Sequence, residues 1–196
     1  MKTNLEIEYK TLLSLAEYDK LGKLFSHVKP IRQTNHYFDT PDLKLRANKL
    51  SLRIRTFDDA AEMTLKVPQK VGNLEHNVAM TLEEAMAIIA SRHLPENCIN
   101  ISKILDILHG FDIETSRIET LGSLTTTRRE YMTKIGLMAL DKNDYSGKTD
   151  YELEVEVTDA KIGEKNFGDF LRTTQVEYRY ARSKVVRFLE SIGKMP

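Results

Sequence analysis

Tryptophan is missing from this 196-residue chain, and cysteine appears once, as Cys98. The first absence removes the indole face that stacks best on a cationic or aromatic ligand, leaving only Tyr and Phe for such contacts. The second excludes an intrachain disulfide, and a lone cysteine in the loop-like stretch PENCIN fits a reducing compartment. No apolar run approaches the roughly 18 residues that a bilayer-spanning helix needs. A secretory leader is not expected either, since Glu6 and Glu8 stand where its apolar segment would lie. Net charge is also absent: 29 basic residues balance 29 acidic ones, which removes any global attraction to nucleic acid or an anionic membrane. The chain therefore reads as soluble and cytoplasmic, with neither nucleic acid nor membrane as a partner.

Several catalytic signatures are missing as well. His27, His36, His76, His93 and His109 show no HExxH-type spacing, so zinc is not expected. There is no GxxxxGK[ST] phosphate loop, and Ser183 is not set in a nucleophile elbow. No internal repeat, low-complexity tract or Pro/Gly-rich linker divides the chain, and residues 1–196 read as one domain. Apolar residues at 41% and charged residues at 30% allow an ordinary globular core.

What the chain does have is alternation. Strands are expected at about 3–10, 33–39, 49–57, 61–68, 73–81, 119–131, 134–143 and 149–158. Helices are expected at about 11–27, 82–92, 101–109, 159–173 and 180–192, the segment 82–112 forming a helical insertion between the fifth and sixth strands. "DD" at 58–59 and "YSGK" at 145–148 read as hairpin turns. Side chains alternate across a strand, so Glu6, Glu8 and Lys10 share one face, opposite Leu5, Ile7 and Tyr9. Arg53 and Arg55 lie opposite Leu52 and Ile54. Glu62, Thr64 and Lys66 lie opposite Met63, Leu65 and Val67. Glu152, Glu154 and Glu156 lie opposite Leu153, Val155 and Val157.

For any single strand the simplest reading is a core face and a solvated face. Solvated faces usually mix signs, however, whereas here one strand is purely acidic and another carries only arginine. Such segregation suits polar faces that meet around a shared interior, with the apolar faces turned outward under the helices. A barrel of about eight strands can hold a small ligand there, and a highly charged ligand would be a reason for the inversion. The fold class is α+β: an eight-stranded antiparallel β-barrel with a polar, charged interior, flanked by helices.

The ordered set of motifs resembles the CYTH superfamily, the triphosphate tunnel metalloenzymes, and in particular its small single-domain bacterial branch. "EIEYK" matches the family's ExExK signature at Glu6, Glu8 and Lys10. "YFDT" at 37–40, "LRIR" at 52–55, "TLK" at 64–66, an arginine of "TTTRREY", the Asp of "LMALDKNDY" and "ELEVE" at 152–156 follow in the family's order. "RSKVVRFL" resembles its C-terminal serine-lysine helix start. The resemblance covers residues from about 3 to 190 and implies a barrel whose charged walls form a tunnel.

The resemblance also implies roles. Glu6, Glu8 and Lys10 would be catalytic. Glu6 and Glu8, facing Glu152 and Glu154 across the interior, would hold Mg²⁺ or Mn²⁺, which favour oxygen ligands, with Asp141 as a further acid. Glu156 is a less certain continuation of that face, and read alone Asp141 is a turn-flanking acid beside Asp144. Arg53 and Arg55 suit bidentate phosphate contacts, joined by Lys10, Lys66, Arg128 and Lys184. Spacing to Tyr131 favours Arg128 over Arg129 as the family's arginine. Tyr37 and Phe38 read as packing or rim residues.

The expected function is metal-dependent hydrolysis of a small-molecule triphosphate, inorganic tripolyphosphate foremost, by a monomer or homodimer. A class IV-type adenylyl cyclase and a thiamine triphosphatase are the enzymatic alternatives. A polyphosphate-binding module is the non-enzymatic one, and the retained carboxylates argue against it.

Overall fold

The computed structural model describes residues 1–95 and 98–195. Glu96 and Asn97, inside both the expected loop and the expected insertion, lie outside the described residues, as does Pro196. Eight strands are present: β1 (Lys2–Leu13), β2 (Ile31–Asp39), β3 (Ser51–Thr56), β4 (Ala61–Pro68), β5 (Asn73–Met80), β6 (Glu119–Thr133), β7 (Gly136–Tyr145) and β8 (Lys148–Val157). Among the described residues the helices are α1 (Leu15–Gly22), α2 (Lys44–Ala47), α3 (Leu82–Ser91), α4 (Ser102–His109), α5 (Ala160–Thr174) and α6 (Lys184–Ser191). The strands close into a barrel in the order β1-β5-β4-β3-β2-β6-β7-β8. Among the described residues no helix is long and apolar enough to cross a membrane.

The chain packs as two compact units, one of residues 1–5 and 34–123, the other of residues 6–33 and 124–196. In the first, the apolar faces of β2 to β5 supply Phe38, Leu52, Ile54, Met63, Leu65, Val78 and Met80 to a core. That core is closed by Ala85 and Ile88 of α3 and by Ile104, Leu105 and Leu108 of α4. In the second, Leu13, Met138, Leu140, Leu153, Val155 and Val157 meet Leu21 of α1 together with Phe167 and Leu171 of α5. Within each unit, therefore, the helices cover the hydrophobic side of the strands. The alternation leaves the charged side facing away from that core.

Several element boundaries differ from expectation: α1 stops at Gly22, short of the expected 27, and three others differ for a tertiary or capping reason. β1 continues to Leu13 where a helix from about 11 was expected, because Thr11, Leu12 and Leu13 still pair with Leu153, Glu152 and Tyr151. The helix starts after Ser14, whose hydroxyl and Glu17 form a reciprocal capping box. α6 begins at Lys184 rather than near 180, since the preceding segment is bonded to β1: Leu12 N donates to Arg179 O at 3.0 Å. The short α2 was not anticipated. It is held from outside by Asp39, which accepts from Leu45 N at 2.8 Å and Arg46 N at 3.0 Å. Tyr37 and Phe38 are both buried.

Two hairpins place the strands that carry most of the charge. β7 turns into β8 through Ser146 and Gly147, both at positive φ (48° and 71°), as a two-residue turn matched to strand twist requires. β6 turns into β7 just before Gly136, which has φ +136°, and a Cβ there would stand 2.2 Å from the Glu156 carbonyl oxygen. Gly136 thus lets β7 start hard against β8. Gly136→Ala should cost at least about 2 kcal/mol, lowering the melting temperature by about 4–8 °C. An unchanged melting temperature would contradict this account of the turn.

Candidate active site

The charged face of β6, β7 and β8 is organised in rows by strand register. Arg128 pairs with Asp141, which pairs with Glu152. One row over, Glu130 pairs with Ala139, Ala139 with Glu154, and Glu154 with Lys10 of β1. Ala139 contributes only a methyl group, and the Arg128 guanidinium reaches past it to both neighbouring acids. Its Nε and Nη2 donate to the two oxygens of Asp141 at 2.8 and 2.6 Å, Nη2 also contacts Glu154, and Nη1 lies 3.3 Å from Glu130. Arg129 alternates to the other face, opposite Leu140.

Helix α6 adds two cations, Lys184 and Arg187, three residues apart and therefore on one side of the helix. The Lys184 ammonium lies 3.0 Å from Asp141 Oδ2, 3.0 Å from Glu152 Oε2 and 2.7 Å from Glu154 Oε1. Arg187 donates to Glu152 Oε2 at 2.6 Å and lies 3.0 Å from Asp150, which also accepts from the Tyr145 hydroxyl at 2.6 Å. The entry to α6 is fixed from the other end. Arg179 N donates to Thr11 Oγ1 at 2.8 Å, and Glu17 accepts from Arg179 Nη1 at 2.6 Å and Glu177 N at 3.1 Å. Burial works against charge on Glu17, but bonds from Ser14, Glu177 and Arg179 hold its pKa down to about 2.

Asp141, Glu152 and Glu154 each offer an oxygen within 4.8 Å of the others, and Asp141 and Glu152 are wholly buried. An all-carboxylate donor set of this spacing fits a hard divalent cation such as Mg²⁺ or Mn²⁺ and offers nothing to a soft one. Burial opposes the charge on Glu154, yet Lys184, Arg128 and Lys10 outweigh it and hold the carboxyl well below its usual range. Lys184 is the mirror case: burial works to lower its pKa, and Glu152, Glu154 and Asp141 instead push it up.

Glu6 and Glu8 are not in this trio. β1 is the hydrogen-bonded neighbour of β8, so Glu8 lies beside Glu156 and Lys10 beside Glu154, rather than facing Glu152 and Glu154 across a gap. Glu8 accepts from Lys10 Nζ at 2.5 Å, and Glu6 is half-buried two residues away on the same face. Burial opposes charge on Lys10 too, but Glu8, Glu154 and Glu152 raise its pKa.

The other unit carries its own charged face. Ser51 pairs with Lys66, and Lys66 with Glu75; Arg53 pairs with Thr64 and Tyr37, and Arg55 with Glu62 and Asn35. Lys66 Nζ lies 2.9 Å and Arg53 3.8 Å from Glu75, while Arg55 donates to Asn35 at 3.1 Å and lies 3.4 Å from Glu62. The buried Arg53 Nε makes no hydrogen bond. Sequence reasoning missed Glu75 and Arg187. "NLEHNVAM" did alternate Asn73, Glu75 and Asn77, and Arg187 stands one helical turn after Lys184, so weak signals existed for both.

Burial works against charge on Glu75, yet Lys66 and Arg53 overcome it and bring its pKa down to about 2 from 4.5. Because the folded pKa is depressed, the stabilisation is present above pH 4.5 and is lost as pH falls toward 2. It amounts to something on the order of 3 kcal/mol. Wild type should therefore melt above Glu75→Gln at pH 7, with the gap closing between pH 4.5 and 2. A gap that stays constant across that window would show that Glu75 is not held ionised by its neighbours.

The geometry can be set beside known proteins. The CYTH domain profile matches residues 4–189. A Bacillus subtilis (strain 168) protein provisionally named triphosphatase YjbK is 33% identical over 196 residues, covering 99% of both chains. The crystal structure of a Bacillus halodurans protein, provisionally described as an adenylate cyclase, superposes with a TM-score of 0.86 at 32% identity, covering 96% of this chain and 99% of that one. HpAC1 from Hippeastrum, at 24% identity, shares the fold with a TM-score of 0.79 over 95% of this chain and 96% of its own. The match spans both units and includes every strand of the closed barrel, and on these grounds the chain belongs to the CYTH domain family.

Proposed function

We propose that this protein hydrolyses triphosphate compounds with the help of a divalent metal, and that inorganic tripolyphosphate is its preferred substrate. The observation that carries the reading is the buried group of Asp141, Glu152 and Glu154 with Arg128 and Lys184 packed directly upon it. Carboxylates that hold metal and cations that hold phosphate are both needed to bind a metal-bridged polyphosphate, and neither alone is sufficient. The name of the 33%-identical Bacillus subtilis relative points the same way.

Asp141, Glu152 and Glu154 would hold Mg²⁺ or Mn²⁺, with Glu6 and Glu8 on the adjoining strand extending the acidic surface. The metal, when bound, supplies Lewis-acid stabilisation of charge developing on phosphate oxygens. Arg53, Arg55, Lys66, Lys10 and Arg128 would orient the phosphates. Arg53 is the best prepared of them, since its buried Nε still has a donor to give. Glu75 keeps that arginine and Lys66 in place until an anion arrives. Catalysis then rests on positioning and electrostatics, as phosphoryl transfer generally does. The lone cysteine is unpaired, which suits a reducing, cytoplasmic setting; a monomer or homodimer remains the proposed assembly.

The Bacillus halodurans relative's description favours a second reading, cyclisation of ATP. That chemistry needs the ribose hydroxyl held in line with the α-phosphate, hence polar or aromatic groups placed for a nucleoside. The residues that converge here address phosphate and metal, and there is no Trp. We expect kcat/KM for tripolyphosphate to exceed that for ATP by at least about tenfold, or roughly 1.4 kcal/mol, with Mg²⁺ or Mn²⁺ present. No cyclic AMP should form from ATP. Cyclic AMP made at a rate rivalling phosphate release from tripolyphosphate would put the cyclase reading first.

A further inference from the structure

The ammonium of Lys184 occupies the place where the three carboxylates converge. It is within 3.0 Å of one oxygen from each of Asp141, Glu152 and Glu154. A Mg²⁺ ion bound to those same oxygens would sit about 2.0–2.1 Å from each, in the space the nitrogen fills. Both cations cannot be there together. Of the oxygens that Lys184 contacts, Asp141 Oδ2 also accepts from Arg128 Nη2 and Glu152 Oε2 from Arg187 Nη2, each at 2.6 Å. The other three oxygens likewise face guanidinium nitrogens. Asp141 Oδ1 is taken by Arg128 Nε, Glu154 Oε2 by Arg128 Nη2, and Glu152 Oε1 faces Arg187 Nη1 at 3.4 Å.

The two guanidiniums are poor candidates to make way. Arg128 bridges Asp141, Glu154 and Glu130, and Arg187 bridges Glu152, Asp150 and the carbonyl of Arg182. Each has a planar fork committed in several directions. Lys184 has a flexible stem and a single charged atom. It is also the first residue of α6, where the helix dipole disfavours a cation, and the Ser183 side chain makes no capping bond there. Its position is therefore maintained by the acids, and it loses that hold once their charge is taken by a metal.

We propose that Lys184 is an exchangeable counter-ion. In the metal-free protein its ammonium neutralises Asp141, Glu152 and Glu154, and a divalent cation enters by displacing it. The inference rests on the metal-dependent reading above and adds the order of events within it. Metal entry frees a cation beside the metal just as a polyphosphate needs one, so a single lysine serves the empty site and the loaded one in turn. Metal affinity in the absence of phosphate is correspondingly held down, because each binding event must break three ion pairs.

Binding of Mn²⁺ to metal-free protein without phosphate, followed by the electron paramagnetic resonance signal of free Mn²⁺, reads this directly. Lys184→Met should bind Mn²⁺ at least about tenfold tighter than wild type. Lys10→Met removes the same charge from an ammonium that is bonded to Glu8 and acts on Glu154 through space, and should tighten binding by less than about threefold. Unchanged or weaker binding by Lys184→Met, or equal tightening in both variants, would overturn the exchange. Should Lys184→Met fail to melt cooperatively, the wild type suffices. With ¹⁵N-labelled lysine, the Lys184 ammonium resonance, assigned by its loss in Lys184→Arg, should shift on saturation with Mg²⁺. A resonance left in place would refute the proposal. Failure of the exchange with Mn²⁺-dependent triphosphate hydrolysis intact strikes this inference alone, whereas exchange without hydrolysis supports it and strikes the proposed function.

Discussion

Charge neutrality on a face withdrawn from water governs this structure. Asp141 and Glu152 have no exposed surface, and an ionised carboxylate in that position is tolerable only with a cation and hydrogen bonds beside it. The sheet supplies one such cation from β6, Arg128, and α6 supplies two more, Lys184 and Arg187. Removing any of them would leave a buried charge uncompensated, which costs far more than the pair itself contributes. The same constraint explains Glu75, an acid among the cations Arg53 and Lys66. Within each unit, buried charges of one sign are set directly against charges of the other.

The price of that balance is a fold arranged with its apolar side under helices. Helices α1, α3 and α5, capped at their N-termini by the side chains of Ser14, Thr81 and Asp159, are therefore as necessary to the site as the strands. They cover Ile54, Met63, Leu140, Val155 and their neighbours, which the alternation places opposite the charges. Local devices then set positions that matter chemically. Gly136 admits β7 close to β8, and Glu17 ties the segment before α6 to α1, so that Lys184 starts its helix beside the acids.

Strand positions were legible because a period of two is a local property. "YELEVEV" and "LSLRIRTF" announce both faces of β8 and β3 without help from the rest of the chain. What was not legible depends on which strands become neighbours. The family resemblance implies that Glu6 and Glu8 face Glu152 and Glu154, but the closed order puts β1 against β8 and sets Glu8 beside Glu156. Arg187 escaped notice because a helical arginine near a C-terminal Lys reads as solvated until its partner Glu152 is known. The start of α6 and the existence of α2 were hidden likewise, being set by bonds from Thr11 and Asp39 far away in sequence or outside the helix. Family resemblance, by contrast, was carried by the order of motifs from Glu6 to Lys184, a signal that needs no register.

The proposed function rests on Asp141, Glu152 and Glu154 as the place where a metal would be held. Crystals grown with Mn²⁺ and measured at the manganese absorption edge would locate it without reference to activity. The account predicts an anomalous peak bordered by all three carboxylates, with the Lys184 ammonium moved out of the space between them. Manganese bound beside Glu6 and Glu8, with none at Asp141, Glu152 and Glu154, would contradict it.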